Sequence, residues 1–137
     1  MGRIIGIDYG RKRTGLAATD PLRIIASPLE TVRTHDLMTY LTDYCQREPV
    51  DAFVVGLPRR LDNSDTDITH DVRTFARQLK QKFPERTVDL HDERFTSRMA
   101  LQAMIAGGTT KKYRRDKGNI DRVSATIILQ SYLEANP

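Results

Sequence analysis

Three carboxylates far apart in the chain, Asp8, Glu93 and Asp121, stand where a lone charge is hard to accommodate. Asp8 closes the apolar run Ile4-Ile5-Gly6-Ile7, Glu93 follows Val88-Asp89-Leu90, and Asp121 falls on the inward stripe of a helix. An unpaired carboxylate in such a place carries a heavy desolvation penalty, so its charge should be paired or metal-bound. Carboxylates within a few ångströms repel one another, and the hard-oxygen ions Mg²⁺ and Mn²⁺ are their usual neutralisers. Pairs of such ions about 3.5 to 4 Å apart activate a water and stabilise the leaving oxygen in phosphodiester hydrolysis. The chemistry these residues suggest is metal-dependent cleavage of a nucleic-acid backbone.

Each carboxylate also has a structural role open to it. Asp8, in Gly6-Ile7-Asp8-Tyr9-Gly10, suits a turn in which its side chain caps the backbone two residues on. Gly10 and Gly15 leave side-chain space near it, through which a phosphate-bearing ligand can approach the backbone. Glu93, in Asp92-Glu93-Arg94-Phe95-Thr96-Ser97, suits a helix first turn, where the dipole favours an acid. Asp92 is an equally acidic neighbour. Alternation puts Leu90 and Asp92 on one face and His91 and Glu93 on the other, and spacing leaves open which face holds the site. Asp121 is more constrained: at about 100° per residue, Ser124, Ala125, Ile128 and Tyr132 lie within about 60° of it on the helix wheel. Arg122, Thr126 and Gln130 take the opposite flank, so Asp121 points toward the rest of the fold, unless it is an exposed first-turn acid beside an Asn119 cap.

The elements that must position these residues can be read in order. Arg3 to Asp8 is a β-branched run closed by Tyr9-Gly10, and Thr14 to Thr19 and Ser27 to Val32 are two more strands separated by Asp20-Pro21. Leu37, Leu41, Tyr44 and Cys45 recur at helical spacing, with Thr34 as N-cap and Pro49 soon after the end. Ala52 to Gly56 is a continuous apolar run of the fully buried parallel kind. A second helix is expected from about Thr66 to Lys82, a fifth strand over Thr87 to His91, a third helix over Thr96 to Ala106, and a last one from about Ile120 to Ala135. The fold class is α/β: a five-stranded mixed sheet, three antiparallel strands first and parallel strands after, flanked by helices, in one domain over 1–137. In such sheets ligands bind outside the carboxyl ends of the parallel strands, where Asp8, the Gly56-Leu57-Pro58 loop and Glu93 converge.

Composition fits this reading. With 39% hydrophobic and 29% charged residues, and no apolar run near the ~18 residues of a membrane span, the chain is expected to be globular and off the membrane. Met-Gly-Arg-Ile-Ile lacks the apolar core and cleavage site of a secretory signal, so the expected location is cytoplasmic. Cys45 falls at an apolar helix position and reads as packing, and His35, His70 and His91 show no ligand spacing, His91 being the one to line a site. The net charge of +4 favours a polyanionic partner only mildly, but basic residues gather in Arg11-Lys12-Arg13, in Arg59-Arg60 and in Lys111, Lys112, Arg114, Arg115 and Lys117. Each cluster falls in an expected loop.

Four motifs carry a family resemblance: Gly6-Ile7-Asp8-Tyr9-Gly10, Val55-Gly56-Leu57-Pro58 with Asp62-Asn63-Ser64, Asp92-Glu93-Arg94-Phe95-Thr96-Ser97, and Ile120-Asp121 ahead of Ala125 and Ile127-Ile128-Leu129. With these in order over nearly the whole length, the chain resembles the YqgF, or RuvX-type, family of RNase H-like proteins, known as Holliday junction resolvases and pre-16S rRNA nucleases. Asn63 stands where that family usually has Gly, Phe95 where Leu is common, and the basic segment Lys111 to Gly118 is longer than usual. The resemblance implies an RNase H-like fold and a nuclease that uses Mg²⁺ or Mn²⁺ to mature the 5′ end of 16S rRNA. It selects Glu93 over Asp92 as the third metal carboxylate beside Asp8 and Asp121. Arg13, Lys111, Lys112, Arg114 and Arg115 are then the expected nucleic-acid contacts. The expected partners are pre-16S rRNA or branched DNA, with ribosomal precursor particles, and the chain acts as a monomer or homodimer. Two other readings stand beside this one. A nucleic-acid-binding assembly factor uses the same residues with incidental cleavage. Asp8-Tyr9-Gly10 with Thr14-Gly15 also resembles the first phosphate loop of the actin and sugar-kinase superfamily, whose duplicated domain 137 residues do not supply.

Overall fold

The computed structural model describes residues 2–58, 65–92 and 117–136. Strands β1 (Arg3–Asp8), β2 (Arg13–Thr19) and β3 (Ala26–Arg33) come first, followed by a 3-10 turn (Thr34–Asp36) that leads into helix α1 (Leu37–Arg47). Strand β4 (Val50–Leu57), helix α2 (Asp67–Lys82), strand β5 (Thr87–Asp92) and helix α3 (Lys117–Ala135) complete the described elements. The five strands form one sheet in the order β3-β2-β1-β4-β5. β1 pairs antiparallel with β2, β2 antiparallel with β3, and β1, β4 and β5 run parallel. This is the mixed sheet expected, with the parallel strands ending on one edge.

The sheet is covered on both faces, which is why β1 and β4 read as unbroken apolar runs. Ile5, Ile7, Leu16, Phe53 and Val55 pack with Leu37 and Leu41 of α1 and Val72, Phe75 and Leu79 of α2. Ile4, Ala17, Ala52 and Val54 pack on the opposite face with Ala125, Ile128 and Leu129 of α3. Each large side chain buried in these layers contributes about 2 kcal/mol over leaving it in water. Helix α2 is capped by Thr66, whose hydroxyl accepts from the Thr69 N–H while the Thr69 hydroxyl accepts from the Thr66 N–H, closing a capping box. The β2–β3 turn is also built from within: the Asp20 carboxylate accepts the backbone N–H groups of Ile24 at 2.8 Å and Ile25 at 2.7 Å. No helix among the described residues is long and apolar enough to cross a membrane.

Two local expectations differ from the structure. Thr34 does not cap α1, whose N-cap is Asp36 with no side-chain cap. The Thr34 hydroxyl donates instead to the Gly10 carbonyl at 2.5 Å and meets the Thr14 hydroxyl at 3.0 Å, tying the β1–β2 connection to the end of β3. Helix α3 starts at Lys117 rather than Ile120, so Asn119 lies within it, where it accepts from the Arg122 guanidinium instead of capping. The third helix expected over Thr96 to Ala106 lies outside the described residues.

Candidate active site

Alternation along β1 puts Asp8 on the same face as Ile4 and Gly6, the face covered by α3. Asp8 is in register with Gly15 of β2. A Cβ placed on Gly15 would run into the backbone carbonyl of Asp121, so α3 crosses directly over this glycine. Gly6 is a second seat for the same helix: a Cβ there would come within 2.8 Å of the Leu129 Cβ and 3.0 Å of the Ala125 carbonyl oxygen. Two missing side chains thus bring the start of α3 against the end of β1, and the carboxylates of Asp8 and Asp121 become neighbours. This corrects the reading of Gly10 and Gly15 as space left for a ligand. The room beside Gly15 is taken by α3 and the room beside Gly10 by the Arg13 carbonyl. A glycine inside a strand often marks such a close backbone approach, and that signal was available in Ile5-Gly6-Ile7.

The electrostatics follow from this packing. The Asp8 carboxyl is pushed up to about 7, first by burial and then by the charge of Asp121. Among the described residues no hydrogen bond or ion pair reaches the Asp8 carboxylate. Asp121 has a partner: Arg13 Nε donates to its Oδ2 at 2.7 Å, with the side chains 41% and 21% exposed respectively. Arg13, expected as a phosphate contact, is therefore spent on an internal carboxylate in this state. Arg11 of the same cluster pairs with Asp71 of α2 at 2.7 Å, a partner with no signal in the sequence. Glu93, Lys111, Lys112, Arg114 and Arg115 lie outside the described residues, as do Arg59 and Arg60.

Strand β5 narrows the question left open between Asp92 and its neighbour. His91 is in register with Gly56, and Asp92 with Leu57. Because Ile7 is in register with Val55, the next level across the sheet is Asp8, Gly56 and His91, on the α3 face. His91 does reach α3: its Nε2 lies 2.9 Å from the Ser131 hydroxyl, and its ring meets Tyr132 edge-on at 5.9 Å between centroids. The Tyr132 hydroxyl donates to Asp89 Oδ2 at 2.5 Å. Asp92 shares the face of Leu57, on the far side of the sheet from Asp8, and so cannot join it.

Asp8 and Asp121 offer only oxygen donors, adjoining and like-charged, with Asp8 lacking a cationic partner among the described residues. Such a donor set fits a hard divalent ion such as Mg²⁺ or Mn²⁺. No group of three or more His, Cys, Asp or Glu side chains is placed to hold a metal among the described residues. The two carboxylates described are two of the three expected.

A family model described as RuvX, Holliday junction resolvase, matches residues 2–135. A protein of Porphyromonas gingivalis bearing the name "putative pre-16S rRNA nuclease" is 56% identical over 137 residues, covering 100% of this chain and 99% of the relative. A relative of the same name from Parabacteroides distasonis is 53% identical over 135 residues, covering 98% of this chain and 96% of the relative. Among solved structures, the fowlpox virus Holliday junction resolvase matches with a TM-score of 0.60 at 12% identity, over 97% of this chain and 98% of that one. Thermus thermophilus RuvC in complex with a Holliday junction substrate matches with a TM-score of 0.55 at 20% identity, over 98% and 95% of the two chains. At such identities these structures establish the RNase H-like fold and nothing finer. The family model and the relatives at about half identity go further: the chain belongs to the RuvX family and is a nuclease, a hydrolase on the RNase H-like fold.

Proposed function

We propose that this chain is a divalent-metal-dependent endonuclease acting on the 16S rRNA precursor, with Asp8, Asp121 and Glu93 holding Mg²⁺ or Mn²⁺. The observation that carries this is the Asp8 carboxylate: partly buried beside Asp121, pushed up to about 7, and without a cation or donor among the described residues. A carboxylate kept in that environment is a ligand in wait rather than a turn cap. Glu93 is preferred as the third ligand because the family resemblance selects it and Asp92 shares the face of Leu57, opposite that of Asp8.

When bound, the ion supplies charge neutralisation at the scissile phosphate and lowers the pKa of the attacking water. The chain's own part is to fix the geometry. Asp8 is rigid because β1 is central in the sheet and paired on both sides. Asp121 is held by the α3 backbone seated on Gly15. Water attacks phosphorus as the bond to the 3′ oxygen breaks and that oxygen takes a proton, leaving a 3′-hydroxyl and a 5′-phosphate. Arg13, Lys111, Lys112, Arg114 and Arg115 supply phosphate contacts along the strand. The choice of pre-16S rRNA rests on the names carried by the relatives. In this reading the chain acts as a single domain in the cytoplasm, on free precursor RNA or on ribosomal precursor particles, as monomer or homodimer.

The test uses Asp8→Asn and Asp121→Asn variants shown by circular dichroism to be folded, assayed on single-stranded RNA with Mn²⁺. Loss of at least a hundredfold in rate is expected in both. Cleavage at the wild-type rate in either would remove that residue from the site. Preference for a four-way DNA junction over RNA would move the substrate to branched DNA.

A further inference from the structure

Arg13 presents an apparent conflict: a residue expected to touch substrate phosphate is bonded to a residue expected to hold metal. The pair has a particular character. It is made through Nε alone, with no Nη bond among the described residues, and the Arg13 side chain is 41% exposed. The strongest guanidinium–carboxylate pairs are frequently two-pronged, and this one is made through a single nitrogen. The backbone around it, in contrast, is fixed: the Lys12 carbonyl accepts from the Thr34 N–H at 2.9 Å, and the Gly10 carbonyl accepts the Thr34 hydroxyl. A long, partly exposed side chain thus projects from a fixed point, where Arg13 begins β2 one residue from Thr14 and two from Gly15.

We propose that Arg13 is the site's resident counter-ion, holding Asp121 until a divalent ion takes its place, and that the displaced guanidinium then turns to the substrate backbone. The inference rests on the metal-nuclease reading above and adds to it an exchange: one positive charge leaves Asp121 as another arrives. Two consequences follow. Arg13 competes with the metal, so it weakens metal binding in the absence of substrate. Metal also releases a cation for the nucleic acid, so RNA binding gains one phosphate contact only when metal is present. The coupling is reciprocal, and RNA bound through Arg13 strengthens metal binding by the same factor.

The test measures Mn²⁺ binding directly, from the loss of the free-ion electron paramagnetic resonance signal, on the full chain without RNA. The neutral variant Arg13→Gln is expected to bind Mn²⁺ roughly fivefold more tightly than wild type, the effect of removing one exposed ion pair. Arg13→Lys keeps the charge and separates loss of the bond from loss of the general field: it should fall nearer wild type. Single-stranded RNA binding is then followed against salt with Ca²⁺ or EDTA. The wild-type slope should steepen by about 0.7 on adding Ca²⁺, and the Arg13→Gln slope should not change. Equal Mn²⁺ affinity in wild type and Arg13→Gln, with binding still abolished by Asp8→Asn, overturns the exchange and leaves the metal site standing. Absence of Mn²⁺ binding in both, with RNA still cleaved in EDTA, overturns the metal reading itself.

Discussion

Replacing Asp8 with asparagine should make this protein more stable while removing its activity. The Asp8 carboxyl rises from 3.8 to about 7 in the fold, a change of about 3 units. At about 1.36 kcal/mol per unit the ionised form is disfavoured by at most about 4 kcal/mol, and partial contact with solvent reduces this to about 2 kcal/mol. The sign follows from proton counting. Between pH 4 and 7 the native state binds more protons than the unfolded state, so stability falls as pH rises through that window and stays low above it. Asparagine keeps the shape without the charge. In EDTA, the variant should match wild type near pH 4 and exceed it by about 2 kcal/mol at pH 8, a rise in melting temperature of about 5 to 10 °C. Melting curves by circular dichroism at the two pH values measure this, and titrating groups distant from Asp8 cancel in the difference. Adding Mn²⁺ at pH 8 should raise the wild-type melting temperature and leave the variant unmoved. A variant less stable than wild type at pH 8, or a difference independent of pH, would refute the burial argument.

Three further outcomes follow from particular contacts. Gly15→Ala puts a methyl group into the Asp121 carbonyl and should destabilise the fold by about 3 kcal/mol or more in urea denaturation, with loss of Mn²⁺ binding as α3 lifts. The Tyr132 hydroxyl is pushed up to about 12, chiefly by its hydrogen bond to Asp89, so phenolate absorbance should show one tyrosine titrating last. Its contribution is present up to pH 10 and lost between 10 and 12, and Tyr132→Phe should lower stability by about 1 to 2 kcal/mol below pH 10. Asp20→Ala removes the acceptor shared by the Ile24 and Ile25 amides, and hydrogen exchange should quicken there while Mn²⁺ affinity stays at the wild-type value.

The strands and the α2 helix were legible because their signals are local. Ile4 to Ile7 and Ala52 to Gly56 are apolar on both faces, and Val72, Phe75, Ala76 and Leu79 recur at helical spacing and form the buried face of α2. The inward stripe of α3 was legible for the same reason, since helical spacing alone groups Asp121 with Ser124, Ala125 and Ile128, and the latter three are buried. What was not legible depends on contacts between distant segments. Thr34 looks like a cap from its neighbours, but its hydroxyl is claimed by Gly10, 24 residues away. Arg11 and Arg13 look like free basic residues, and their partners Asp71 and Asp121 come from helices that meet them only in the folded chain. Asp92 and Glu93 are indistinguishable by spacing because the choice depends on which face of the sheet α3 covers, a fact set by the glycines at 6 and 15. Gly15, with Gly10, reads in the sequence as room for a ligand, whereas the room beside Gly15 belongs to a helix.

The most direct measurement maps the 5′ ends of 16S precursor fragments after incubation with the protein in Mn²⁺ or in EDTA, beside Asp8→Asn. The account predicts cuts near the mature 5′ end that need Mn²⁺, carry a 5′-phosphate and vanish in the variant. Cuts that persist in EDTA or in Asp8→Asn would contradict it, and binding of the precursor with no metal-dependent cuts would make the chain an assembly factor instead.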